Sequence, residues 1–129
     1  MTSDETEQLR TFLRENVFSF EELETILFFA RAPRRAWGCA DVAAVLNLSD
    51  DLIEGALDGL TRSLLKRDDA EGSYRYAPPA ELEPIVEKLR QAYEEHRIAV
   101  VQLMAANSIE RVRSSAARRL ADAFRLKGR

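Results

Sequence analysis

GCADVAAVLNLSDDLIEGALDGLTRSLLKRDDAEGSYRYAP, residues 38–78, is the stretch whose reading decides the fold. It reads as a short helix, a three-residue turn at Asn47-Leu48-Ser49, a longer helix and a small two-stranded hairpin. Leu48 puts an apolar side chain where a solvated loop would carry a polar one, and the Ser49 hydroxyl is placed to cap the helix that follows. In that helix Leu52, Ile53, Ala56, Leu57, Leu60 and Leu64 recur at the three- and four-residue spacings of one buried stripe. Leu64-Leu65-Lys66-Arg67 leads into the polar, glycine-containing run 68–73. Tyr74-Arg75-Tyr76 then has the aromatic alternation of a returning strand.

Upstream, Ser19 and Glu22 have capping-box spacing and open a helix with the apolar stripe Leu23, Ile26, Leu27 and Ala30, which Pro33 ends. Ala36-Trp37 suits a short third strand beside the hairpin. Leu9, Phe12, Leu13 and Val17 predict an earlier helix, marginal alone and therefore docked on the rest. Downstream, Pro78-Pro79 is the clearest internal boundary. Residues 81–104 read as one long helix, with Pro84 in its first turn; Ile85, Leu89, Ala92, Tyr93 and His96 mark one face. The run 98–104 is apolar on nearly every side and predicts burial by several neighbours. Asn107 and Glu110 have cap spacing, so a final helix is expected with the stripe Ile109, Val112, Ala116, Leu120, Ala123 and Phe124, ending before Gly128. No internal repeat or low-complexity tract stands out.

At Ser19 to Pro78 the chain resembles the winged helix-turn-helix domains of bacterial transcription regulators, in element order and turn spacing. The fold expected is mainly α. A winged helix-turn-helix core over 19–79 follows an N-terminal helix in 1–18 and precedes two C-terminal helices in 80–129. In winged-helix regulators such extensions commonly build a dimer, so the resemblance implies a homodimer through the C-terminal helices. It also implies that the second helix of the turn would enter the major groove of DNA.

The charges on that helix point elsewhere. Its outward positions hold Asp50, Asp51, Glu54 and Asp58 against the single Arg62, whereas DNA affinity comes mostly from neutralising phosphate. Asp50 and Asp51 suit a helix N-terminus, but Glu54 and Asp58 have no such reason to be there. Gly55 and Gly59, four apart in the same helix, would admit a close neighbour. That neighbour is either the first or the last helix of this chain or a partner whose basic surface meets Asp51, Glu54 and Asp58, with Arg62 beside them. The basic candidates for nucleic acid are Lys66, Arg67 and Arg75 on the presumed wing, where Asp68, Asp69 and Glu71 oppose them, and Arg111, Arg118 and Arg125, seven apart toward the C-terminus. From Ser108 to Arg129 seven basic residues, Lys127 and Arg129 included, face two acidic ones, a bias opposite to that of the segment ending at Glu24.

Composition narrows the function. The 129 residues are 46% hydrophobic and carry a net charge of −3, which suits a folded domain and not a polycation. One cysteine, Cys39, excludes an internal disulfide; with one histidine, His96, it falls far short of a zinc site. No nucleophile, base and orienting group recur as a set, so neither an enzyme nor a cofactor is expected. The acidic N-terminus lacks signal-peptide features and no apolar run is long enough for a membrane span, so the expectation is a cytoplasmic protein with no membrane partner. The leading expectation is a transcription-regulator-like protein touching DNA through its wing and C-terminal arginines. The alternative is a winged helix that docks a basic protein surface through its acidic helix.

Overall fold

The computed structural model describes residues 1–68 and 72–127. The described residues are mainly helical, 71% in six helices, with a small three-stranded antiparallel sheet. The order is α1 (Ser3–Asn16), α2 (Phe20–Arg31), β1 (Trp37–Gly38), α3 (Cys39–Leu46), α4 (Asp50–Leu60), β2 (Leu65–Arg67), β3 (Ser73–Tyr76), α5 (Glu83–Glu95) and α6 (Arg97–Lys127).

Local chemistry sets most of these boundaries. The Ser19 hydroxyl accepts from Glu22 N–H at 3.1 Å, and the Glu22 carboxylate accepts in return from Phe18 N–H at 3.0 Å. The box therefore closes one residue earlier than the spacing alone predicts. Asn47 ends α3 in the left-handed region at φ 56°, a conformation asparagine tolerates, and Leu48 N–H then reaches back to Ala43 O at 3.1 Å. Ser49 caps α4 by accepting from Leu52 N–H at 3.3 Å. Strand β3 lies between β1 and β2, with Trp37 paired to Tyr74 and Leu65 to Tyr76, so the 36–37 segment supplies the third strand one residue later than expected.

Leu13, Leu23, Ile26, Phe29, Ile53 and Leu57 are fully buried at the centre of one apolar cluster. It continues through Val86, Leu89 and Tyr93 of α5 to Val100 and Met104 of α6. Helix α2 packs on α4, while α1, α5 and α6 pack against one another. Truncating one of these leucines to alanine removes packed volume that the surroundings recover only in part, a loss of about 2–5 kcal/mol.

Four expectations need correction. Leu52 is not part of the buried stripe; it stands 47% exposed on α4. The long helix does not reach Met104: it breaks at His96 (φ −137°, ψ 49°), which is exposed and not on an apolar face. The break redirects the chain so that α5 and α6 both reach α1, and this shared burial overrides a sequence that carries no local stop signal. Asn107 therefore caps nothing; it is buried inside α6 and donates through Nδ2 to Arg10 O at 3.2 Å. Finally, α6 is buried on one side only. Val100 is fully enclosed, but Ile98 is 75% exposed, and Ile109, Val112, Leu120 and Phe124 all face outward.

Candidate interaction surfaces

On α4 the side chains of Asp50, Asp51, Leu52, Glu54 and Asp58 are exposed along with Gly55. The first two lie in the first turn, where the unpaired backbone N–H groups favour negative charge. The two glycines do not act together. A Cβ at Gly55 would meet nothing within 4 Å, whereas one at Gly59 would collide with the Glu22 carboxylate and Arg62. Gly59 thus serves the α2–α4 contact and Gly55 lies on open surface, so neither the first nor the last helix packs at the two glycines as the sequence led one to expect.

Several charges have an internal task. Arg62 donates to Glu22 at 2.7 Å and stacks over the Phe18 ring at 4.0 Å, tying α4 to the start of α2. Asp58 accepts from Arg67 at 2.7 Å and from the Tyr74 hydroxyl at 3.1 Å, and Arg67 also donates to that hydroxyl at 3.0 Å. Burial first, then the hydrogen bond to Asp58, pushes the Tyr74 hydroxyl above its ordinary pKa. Arg75 pairs with Asp68 at 3.0 Å. The hairpin cations are therefore largely neutralised by acids of the same unit; Lys66 alone is exposed without a recorded partner among the described residues. The expected tip acids Asp69 and Glu71 lie outside the described residues, as do Arg129 and the side chain of Lys127.

Of the three arginines seven apart, Arg111 belongs to the fold. Its guanidinium donates to the carbonyls of Arg14, Val17 and Phe18 at 3.3–3.4 Å and lies 4.5 Å from the Phe18 ring centroid. These are the unpaired carbonyls at the end of α1, where a cation is favoured. Arg118 and Arg125 continue the same side of α6 beyond the end of α1, both exposed, with Arg125 paired to Asp122 at 2.7 Å. Arg113 and Arg119 are exposed as well.

The Cys39 thiol donates to Asp50 O at 3.4 Å. Burial, then the charges of Asp50, Glu54 and Asp51, raise its pKa, which disfavours the reactive thiolate. Among the described residues no three His, Cys, Asp or Glu side chains gather as a metal would require. No helix among them is long and apolar enough to cross a membrane.

Comparison with protein families, with curated proteins and with solved structures found no match to this chain. Reading the sequence placed the stripe from Ile109 to Phe124 but missed that it is exposed and continuous with the exposed Ile98 and Val101 on one helix. The signal for this was the continuation of apolar spacing from Ile98 through to Phe124 across the assumed break near residue 105.

Proposed function

We propose that residues 19–79 form a winged helix-turn-helix unit used as a protein-interaction module, with the acidic face of α4 receiving a basic protein surface. The α3–turn–α4 pair followed by the β2–β3 hairpin supports that assignment of the fold. The observation that carries the function is the composition of the α4 surface. Asp51, Glu54 and an exposed Leu52 stand together there, while two cations of the same unit, Arg62 and Arg67, are engaged with Glu22 and Asp58. Such a face repels phosphate but suits a partner that brings lysines or arginines around an apolar contact. The reading is non-enzymatic.

A photoreactive residue replacing Leu52 tests this inside cells. The expected product is a discrete protein adduct that disappears when Asp51→Lys and Glu54→Lys are added. An adduct indifferent to that charge reversal, or one formed with nucleic acid, contradicts the reading.

A second reading, regulator-like contact with DNA, is favoured by one observation. Arg113, Arg118 and Arg119 project from α6 with no acidic partner recorded among the described residues. In that reading Arg118→Glu/Arg125→Glu abolishes DNA binding in a salt-dependent manner.

A further inference from the structure

Where α6 leaves the end of α1, the two helices enclose a cavity of about 350 Å³, and every side chain that lines it is polar. Its long wall is one side of α6 from Asn107 to Arg118, and Arg14 of α1 stands across from it. The polar groups are sorted along that wall. At one end they accept. Asn107 is 1% exposed, its Oδ1 has no hydrogen-bond partner among the described residues, and the Glu110 carboxylate lies one turn further on. Arg10 approaches Glu110 only to 3.7 Å, with both side chains nearly half exposed, so that weak pair leaves the carboxylate available. At the other end they donate. The hydroxyls of Ser114 and Ser115 share the cavity with the guanidinium groups of Arg14 and Arg118, and neither arginine has an acidic partner recorded among the described residues. Arg111 lies between the two ends and adds its charge, while its N–H groups serve the carbonyls at the end of α1.

We propose that this cavity binds a small sugar phosphate. Its phosphate sits among Arg14, Arg118 and the two serine hydroxyls, and its sugar hydroxyls donate to Asn107 Oδ1 and the Glu110 carboxylate. A phosphate monoester carries close to two negative charges and three acceptor oxygens, which arginine forks and hydroxyls match. Free phosphate would leave the buried Asn107 oxygen without a donor, an arrangement that folded proteins avoid. A nucleobase or other aromatic group would seek an apolar wall to pack against, and this lining offers none. A nucleic-acid strand would bring its next phosphate toward the Glu110 carboxylate, like charge against like. From Asn107 to Ser115 the wall spans roughly 12 Å at about 1.5 Å per residue, room for a pentose or hexose phosphate lying along the helix. The bound ligand ties the second half of α6 to the last turn of α1. This site is separate from the α4 face and does not depend on it.

The test titrates the full chain with ribose 5-phosphate at low ionic strength and follows the backbone amide chemical shifts. Saturable one-to-one binding is expected, with the shifts centred on Arg14 and residues 107–118. Arg14→Gln/Ser115→Ala should weaken it about tenfold or more with the thermal transition retained. Methyl phosphate keeps the charge and lacks the hydroxyls, so it should bind the wild type about tenfold more weakly than ribose 5-phosphate. Glu110→Ala should erase most of that difference without weakening methyl phosphate, a result that general destabilisation of α6 would not produce. The absence of saturable ribose 5-phosphate binding, shifts centred elsewhere, equal affinity of the two esters for the wild type, or a Glu110→Ala loss shared equally by both overturns the proposal. So does dimethyl phosphate, a singly charged diester, binding as tightly as methyl phosphate, which would mark the cavity as a contact for nucleic-acid backbone instead.

Discussion

Arg67 and Asp58 hold each other at 2.7 Å, with the Tyr74 hydroxyl bonded to both, so one residue of the hairpin and one of α4 neutralise each other across the fold. The sequence alone places them on rival surfaces, Arg67 facing phosphate and Asp58 facing a basic protein. Their pairing withdraws both from those tasks. It also fixes where the hairpin sits relative to α4, because β3 carries the tyrosine that both residues contact.

Both side chains are more than half exposed, so the pair itself contributes at most about 1 kcal/mol. A double-mutant cycle with Asp58→Asn and Arg67→Met should return a coupling of about 0.5–1 kcal/mol from denaturant unfolding. A coupling indistinguishable from zero would show that the triad does not anchor the hairpin.

The two glycines of α4 should respond in opposite directions. Gly55→Ala adds a methyl group to open space and removes a flexible residue from a helix interior, so it should stabilise by about 0.5–1 kcal/mol. Gly59→Ala forces the Glu22–Arg62 pair apart, and Glu22 is held on its other side by Phe18 N–H. Overpacking of this kind costs roughly 1–3 kcal/mol, more than the helix propensity returns. Thermal denaturation of the two variants checks both signs.

Arg111 should behave as a structural residue. Arg111→Ala leaves the end of α1 without its cation and three carbonyls without a donor, a loss of about 1–3 kcal/mol, hydrogen bonds involving a charged group being the stronger kind. Unchanged stability together with lost DNA affinity would return Arg111 to the nucleic-acid surface expected from its spacing.

All three tyrosines titrate high. Burial raises Tyr74, Tyr93 and Tyr76, the last to about 12, with Glu83 and Glu87 adding to the effect at Tyr76. In the unfolded chain each would ionise near pH 10. The native state therefore keeps protons that the unfolded state releases, so stability is full below about pH 10 and falls as pH rises from there toward about 12. Ultraviolet titration should show little phenolate near pH 10 in the folded protein, and a normal transition there in urea.

How much of this could be read from residues alone varied with the physics involved. Local devices were legible: Ser19 and Ser49 cap the helices predicted from them, Asn47 takes the left-handed turn, and Tyr74-Arg75-Tyr76 forms the returning strand. Tertiary decisions were not. The break at His96 has no glycine or proline to announce it, and the exposure of Leu52 and Ile98 depends on which neighbours reach those sides. The candidate charges divided by the same rule. Arg62, Arg67 and Arg111 look available along the chain, and their partners, Glu22, Asp58 and the end of α1, lie nine or more residues away. The pairing of opposite charges across the fold cannot be read from spacing along one helix.

The most direct test of the central claim is binding to random-sequence duplex DNA across a salt series from low to physiological ionic strength. The acidic α4 face and the neutralised hairpin predict weak binding at low salt, with a shallow salt slope, and a clear gain in affinity for Asp51→Lys/Glu54→Lys. Tight wild-type binding that falls steeply with salt, equivalent to several phosphate contacts, and that is lost in Arg118→Glu/Arg125→Glu, would contradict the protein-docking account and establish α6 as a DNA-binding element.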